Sequence, residues 1–79
     1  MLTDEEVLMR FAKRLREMRR AGGYKGQFTF SAEKKINPRR LADWEQGADI
    51  KLTNINKLCN ALGISLKEFF EFGFDRDLE

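Results

Sequence analysis

Arg39, Arg40 and Asp43 follow directly on the pair Asn37-Pro38, with Leu41 and Trp44 interleaved three residues apart. A guanidinium can grip guanine O6 and N7 through two hydrogen bonds, and a carboxylate can accept one from cytosine N4. Pro38 cannot donate and offers only apolar contact, for instance to a thymine methyl. Asn37 is a strong N-cap, because its side-chain oxygen can accept an orphan N–H of the first helical turn. Pro38 then fills the first helical position, where its missing N–H costs nothing and its fixed φ suits a helix. Leu41 and Trp44 share one buried face, which leaves Arg39, Arg40 and Asp43 off it. Gly47 follows as a stop. The sequence thus specifies a short helix anchored on one side and armed with long polar side chains on the other, as a reading element in a DNA major groove must be.

The remaining inventory holds little other chemistry. The chain has no histidine, which removes imidazole acid–base catalysis, Ser-His and Cys-His nucleophiles and most zinc sites. Its one cysteine, Cys59, can form neither an internal disulfide nor a structural zinc site, and reads as a small buried hydrophobe. Gly22, Gly23 and Gly26 lack the Lys-Ser/Thr ending of a phosphate loop. Glu68 and Glu71 have no partner that would tune them as a catalytic pair. No enzyme, metal or cofactor is expected.

Seventy-nine residues make one domain, spanning 1–79, at the small end of what buries a core without staples. No apolar run reaches the length of a membrane span. The acidic start Met1-Leu2-Thr3-Asp4-Glu5-Glu6 does not resemble a signal peptide, so a cytoplasmic location is expected. The net charge of +2 hides an uneven distribution: from Arg10 to Lys57 there are thirteen Lys/Arg against five Asp/Glu, or +8, and the flanks carry −6. A basic centre between acidic ends suggests a polyanion-binding face built by the middle of the chain.

Five helices would position these residues. Thr3 with Glu6 forms a capping box, with Leu2 and Val7 as a hydrophobic staple across it. Val7, Leu8, Phe11, Ala12, Leu15 and Met18 recur at helical spacing, so the first helix runs to about Arg20, before Gly22-Gly23. A second helix covers Gln27 to Lys34, with Phe28 and Phe30 as its apolar residues. The third is the reading helix. Ala48 to Leu52 is a loop pinned to the core by Ile50 and Leu52. Thr53 or Asn54 caps a fourth helix with the stripe Ile55, Leu58, Cys59 and Leu62, closed by Gly63. Ser65 with Glu68 is another capping box, and Ile64 with Phe69 another staple. The fifth helix carries Leu66, Phe69 and Phe70, then Phe72 and Phe74 across Gly73. Trp44 belongs to the core. The expected fold class is all-α, one domain of five short helices.

At these positions the chain resembles the Xre/Cro family of helix-turn-helix regulators, which includes the lambdoid phage repressors. The resemblance runs through Arg14-Leu15-Arg16-Glu17-Met18-Arg19, Gln27, the stretch Ile36 to Gly47, and Leu58 through Phe70. Trp44-Glu45-Gln46-Gly47 and Ala61-Leu62-Gly63-Ile64-Ser65-Leu66-Lys67-Glu68-Phe69-Phe70 are especially similar, and the likeness spans roughly residues 8 to 72. It implies a lambda-repressor-like domain with its helix-turn-helix at about 27–47. It further implies a glutamine, Gln27, that braces the reading helix and reaches phosphate. Groove-facing positions fall on Asn37, Pro38, Arg39 and Asp43, and backbone-contacting ones on Arg40, Lys51, Thr53 and Asn54. Arg19 and Glu45 correspond to an ion pair tying the first helix to the end of the third. Relative to the family pattern, Tyr24-Lys25-Gly26 adds one residue before the second helix, and Lys34 replaces an aliphatic residue or alanine. Lys35 takes the place of the turn glycine, where left-handed backbone costs a lysine about 1 kcal/mol.

The partner expected is double-stranded DNA, bound by a homodimeric repressor on a palindromic operator. Leu66, Phe69, Phe70, Phe72 and Phe74 exceed what one side of a terminal helix can bury, so the fifth helix and tail, residues 65–79, are assigned to a dimer contact. Glu71, Asp75 and Asp77 would keep that surface off DNA. A second class of function stays open: an antitoxin or other protein-interaction module whose aromatic terminal helix captures a toxin or another protein, with DNA binding secondary.

Overall fold

The computed structural model describes residues 1–74. Among them are five helices and no strand: α1 Asp4–Ala21, α2 Gln27–Lys34, α3 Pro38–Trp44, α4 Leu52–Leu62 and α5 Leu66–Phe70. No helix among the described residues is long and apolar enough to cross a membrane. The all-α expectation holds, and the bounds of α2 coincide with those read from the sequence.

Local chemistry sets most of the helix ends. Thr3 accepts from the Glu6 N–H while the Glu6 side chain accepts from the Thr3 N–H, closing the expected capping box of α1. Ser65 and Glu68 do the same for α5. The Asn37 side chain accepts from the N–H groups of both Arg39 and Arg40, with Pro38 in the first turn behind it. At the end of α2, Lys35 takes the left-handed conformation, with φ 57° and ψ 44°. It is the only non-glycine residue with positive φ among the described residues, and the turn into α3 is made despite that strain.

Two helix-end expectations need correction. The N-cap of α4 is Lys51, not Thr53 or Asn54, which lie inside the first turn. Lys51 carries no side-chain cap bond; instead its carbonyl accepts from Asn54 and Ile55. The fifth helix stops at Phe70, so Phe72 and Phe74 follow it in a turn.

Phe11, Leu15, Phe30, Leu41, Trp44, Leu58, Cys59 and Phe69 form the core, drawing on every helix. Trp44 and Cys59 are buried as expected, and burial holds the Cys59 thiol above its ordinary pKa of 9.0. Several apolar residues depart from their expected places. Phe28 is 77% exposed, because the buried side of α2 falls on Phe30 and Ser31. Leu52 is 69% exposed, so Ile50 alone packs the loop against the core. Phe69, assigned above to a dimer contact, is fully buried within its own chain, its ring 5.0 Å from that of Phe11. Phe74 is half-buried, its ring tilted against that of Phe70 with centroids 4.9 Å apart. Phe69 turns inward from α5 into the core, and Ile64, just before the helix, packs against the same core. What stays outside is Phe72, 61% exposed, with part of Leu66 and Phe70. Asp75 and Asp77 lie outside the described residues.

Candidate nucleic-acid interface

The third helix is fixed from behind. Leu41 and Trp44 are buried under α3, while Asn37, Pro38, Arg39, Arg40 and Asp43 are exposed along its other side. Trp44 has a second use: the Arg40 guanidinium lies 5.2 Å over its ring, a cation–π contact that holds Arg40 to the edge of the helix. Arg39 and Asp43 are four apart, so they project from neighbouring positions on the exposed face.

A buried ionic cluster holds the far end of α3. Arg19 donates from Nε to Glu45 Oε2 at 2.8 Å and from Nη2 to Oε1 at 3.0 Å, a two-pronged pair with both side chains almost wholly buried. Its Nη1 donates to the carbonyls of Tyr24 and Lys25, at 2.7 and 2.8 Å. Gln27 donates from Nε2 to Glu45 Oε1 at 3.0 Å, and Arg16 donates to the Glu45 carbonyl. One carboxylate thereby ties together α1, the connection before α2, the first residue of α2 and the end of α3. Two successive carbonyls of that connection converge on one guanidinium. Tyr24 also turns its ring edge-on to Phe30, 5.2 Å away. A hydrogen bond with Glu33 holds the Tyr24 hydroxyl above its ordinary pKa of 10.0.

A second group of expected residues gathers at the start of α4. Lys51 and Thr53 are exposed, whereas Asn54 is 9% exposed and lines a cleft with Arg40, Trp44, Asp49 and Lys51. The leading N–H groups of a helix have no intrahelical acceptor, so this end of α4 favours an anion.

The charge count alone misplaces part of the basic surface. Arg14 donates to the carbonyls of Phe69 and Glu68, both at 2.8 Å, and so caps the end of α5. Arg10 reaches the Gly73 carbonyl. With Arg16 and Arg19 these are four arginines of α1 committed to backbone or carboxylate oxygens. Their i, i+4 and i+2, i+3 spacing on the flanks of an amphipathic helix was the available signal, but the acceptors lie 26 or more residues away, or are backbone atoms.

A family model for the Cro/C1-type HTH DNA-binding domain matches residues 14–75. No curated protein matches the chain. The match covers most of the chain and takes in α3 and its buried brace, so this chain belongs to the Cro/C1-type helix-turn-helix DNA-binding family of transcription regulators.

Proposed function

We propose that the chain is a sequence-specific regulator that binds a palindromic operator as a homodimer in the cytoplasm and represses by occupying it. Asn37, Pro38, Arg39 and Asp43 read base edges, Arg39 by two bonds to guanine. Arg40, Lys51, Thr53, Asn54 and the second amide N–H of Gln27 grip phosphates. The observation that carries this reading is the exposed row Asn37, Pro38, Arg39 and Asp43 on a helix whose opposite face and far end are locked by Leu41, Trp44 and the Arg19–Glu45–Gln27 cluster. A helix held in place before binding lowers the ordering cost of the contact.

One short helix reads too few base pairs to find a site in a genome, and two-fold symmetry doubles the contact, with half-sites about 34 Å apart. The exposed ring of Phe72, with the exposed parts of Leu66 and Phe70, supports the dimer surface.

Selection of bound sites from random duplex DNA, followed by titration at several salt concentrations, tests the reading. The expected result is a palindromic site whose affinity falls steeply with salt. Arg39→Ala should cost about 1–3 kcal/mol at that site and relax the preference at one base pair per half-site. Binding that ignores sequence, or that Arg39→Ala weakens equally on all sequences, refutes the assignment of α3 as the reader.

A further inference from the structure

The cleft at the start of α4 has a neighbour. Lys35, Asn37, Arg40, Asn54 and Lys57 frame a second cleft of about 130 Å³. Arg40 and Asn54 belong to both clefts. Asp49 lines only the first, so the second carries three cations and no acid.

Three independent features mark it as a built site. Asn54 is 9% exposed, and it lines both clefts. Its side chain forms the wall between the two clefts. Lys57 stands one helical turn after Asn54, so both occupy the same face of α4. Lys35 is held at φ 57° where a glycine would make the same turn without strain. Local strain kept in a side chain that lines a cleft points to use of that side chain. Neither Lys35 nor Lys57 has a carboxylate partner among the described residues. The second cleft also runs up to Asn37, the cap of the reading helix, and so adjoins the surface that faces DNA.

We propose that Lys35 and Lys57, with Arg40 and Asn54, hold a second backbone phosphate, adjacent on the same strand to the phosphate at the start of α4. The proposal rests on the DNA-binding reading and extends it to two residues outside the reading helix. Asn54 bridges the two phosphates, donating one amide N–H to each, while Arg40 stays parked on Trp44 between them.

The test is titration of a labelled mixed-sequence duplex against wild type, Lys57→Gln and Lys35→Gly over a range of salt concentrations. Each variant should lose affinity on all sequences alike and lower the log–log salt slope by about one. Lys35→Gly carries a second readout of opposite sign: its melting temperature should rise, because glycine relieves the left-handed turn, while its DNA affinity falls. A merely structural lysine cannot give that combination. If either variant keeps the wild-type slope, no second phosphate is held there, and the proposal is overturned while DNA binding stands. If the wild-type protein shows no salt-dependent binding, the DNA-binding reading itself fails.

Discussion

Removing Arg19 should damage this domain more than any other single charge change, and a double-mutant cycle with Glu45 measures why. Arg19 serves four acceptors, two carboxylate oxygens and the carbonyls of Tyr24 and Lys25, all within 3.0 Å. In Arg19→Met the packing volume of the stem is largely kept, so cavity effects are small. Glu45, 2% exposed, would be left with Gln27 as its one side-chain donor. An uncompensated buried charge costs about 3–5 kcal/mol. A domain of this size has roughly 0.05–0.15 kcal/mol of stability per residue, about 4–12 kcal/mol for the chain, so the variant sits near its unfolding threshold. Glu45→Met strands the guanidinium in the same way, but two carbonyls still accept from it, so its loss should be the smaller. The double variant Arg19→Met/Glu45→Met buries no unpaired charge and should recover part of the loss, with a coupling energy of about 2 kcal/mol or more. Urea unfolding of all four proteins, followed by circular dichroism, gives the cycle. A loss below about 1 kcal/mol for Arg19→Met, or additive single losses, would refute the view that this pair is a buried, mutually dependent unit.

The other expectations are smaller in scale. Ser31 is 2% exposed and its hydroxyl has no partner among the described residues, so Ser31→Ala should raise stability by about 1 kcal/mol, the cost of an unpaired buried hydroxyl; a lower melting temperature would show that a partner exists. Glu6 is held below its ordinary pKa of 4.5, chiefly by the Thr3 backbone N–H. A depressed carboxylate contributes stability above its unfolded value and loses it as pH falls through the folded one. The advantage of wild type over Glu6→Ala should therefore be present at neutral pH and shrink in acid; a pH-independent difference would mean that the charge plays no part in the cap. Phe72→Ser should abolish the dimer at micromolar concentration in analytical ultracentrifugation while keeping helical content, because Phe72 adds nothing to the buried core. A wild-type monomer would instead favour the capture of another protein by that surface.

The parts of the fold legible in the sequence were those written in local chemistry. Asn37-Pro38, Thr3 with Glu6 and Ser65 with Glu68 state their helix starts within four residues, and each cap formed as read. The start of α4 was misread for the same reason: Thr53 and Asn54 have capping side chains, but Lys51 holds the cap position through its carbonyl alone. Residue type signals a side-chain cap and is silent about a backbone one. Phe69 and Phe72 show the limit for burial. Both are phenylalanines at the fifth helix, but Phe69 lies within it and faces the core, whereas Phe72 follows its end and stays exposed.

The basic centre of the chain teaches the most about function. A count of +8 treats every cation as surface charge. In the folded chain, however, Arg10, Arg14, Arg16 and Arg19 donate to oxygens of the chain itself. Such charges do two jobs that a count cannot separate. Those on α1 close helix ends and lock the reading helix at its far end. Those on the reading side, Arg39, Arg40 and Lys51, together with Lys35 and Lys57, are left with no carboxylate partner among the described residues. The separation follows from geometry: α1 meets the end of α3 at Glu45, while the starts of α3 and α4 line one cleft through Asn37 and Asn54. Exchanging an α1 arginine for lysine should therefore harm folding, because lysine cannot reproduce the fork that binds two acceptors at once. An arginine-for-lysine exchange at Lys51 or Lys57 should leave stability alone and keep the DNA salt slope. Arg14→Lys and Lys57→Arg, compared by melting temperature and by salt titration, put that division to a direct test; equal effects in both assays would mean that the two groups of charges are not distinct.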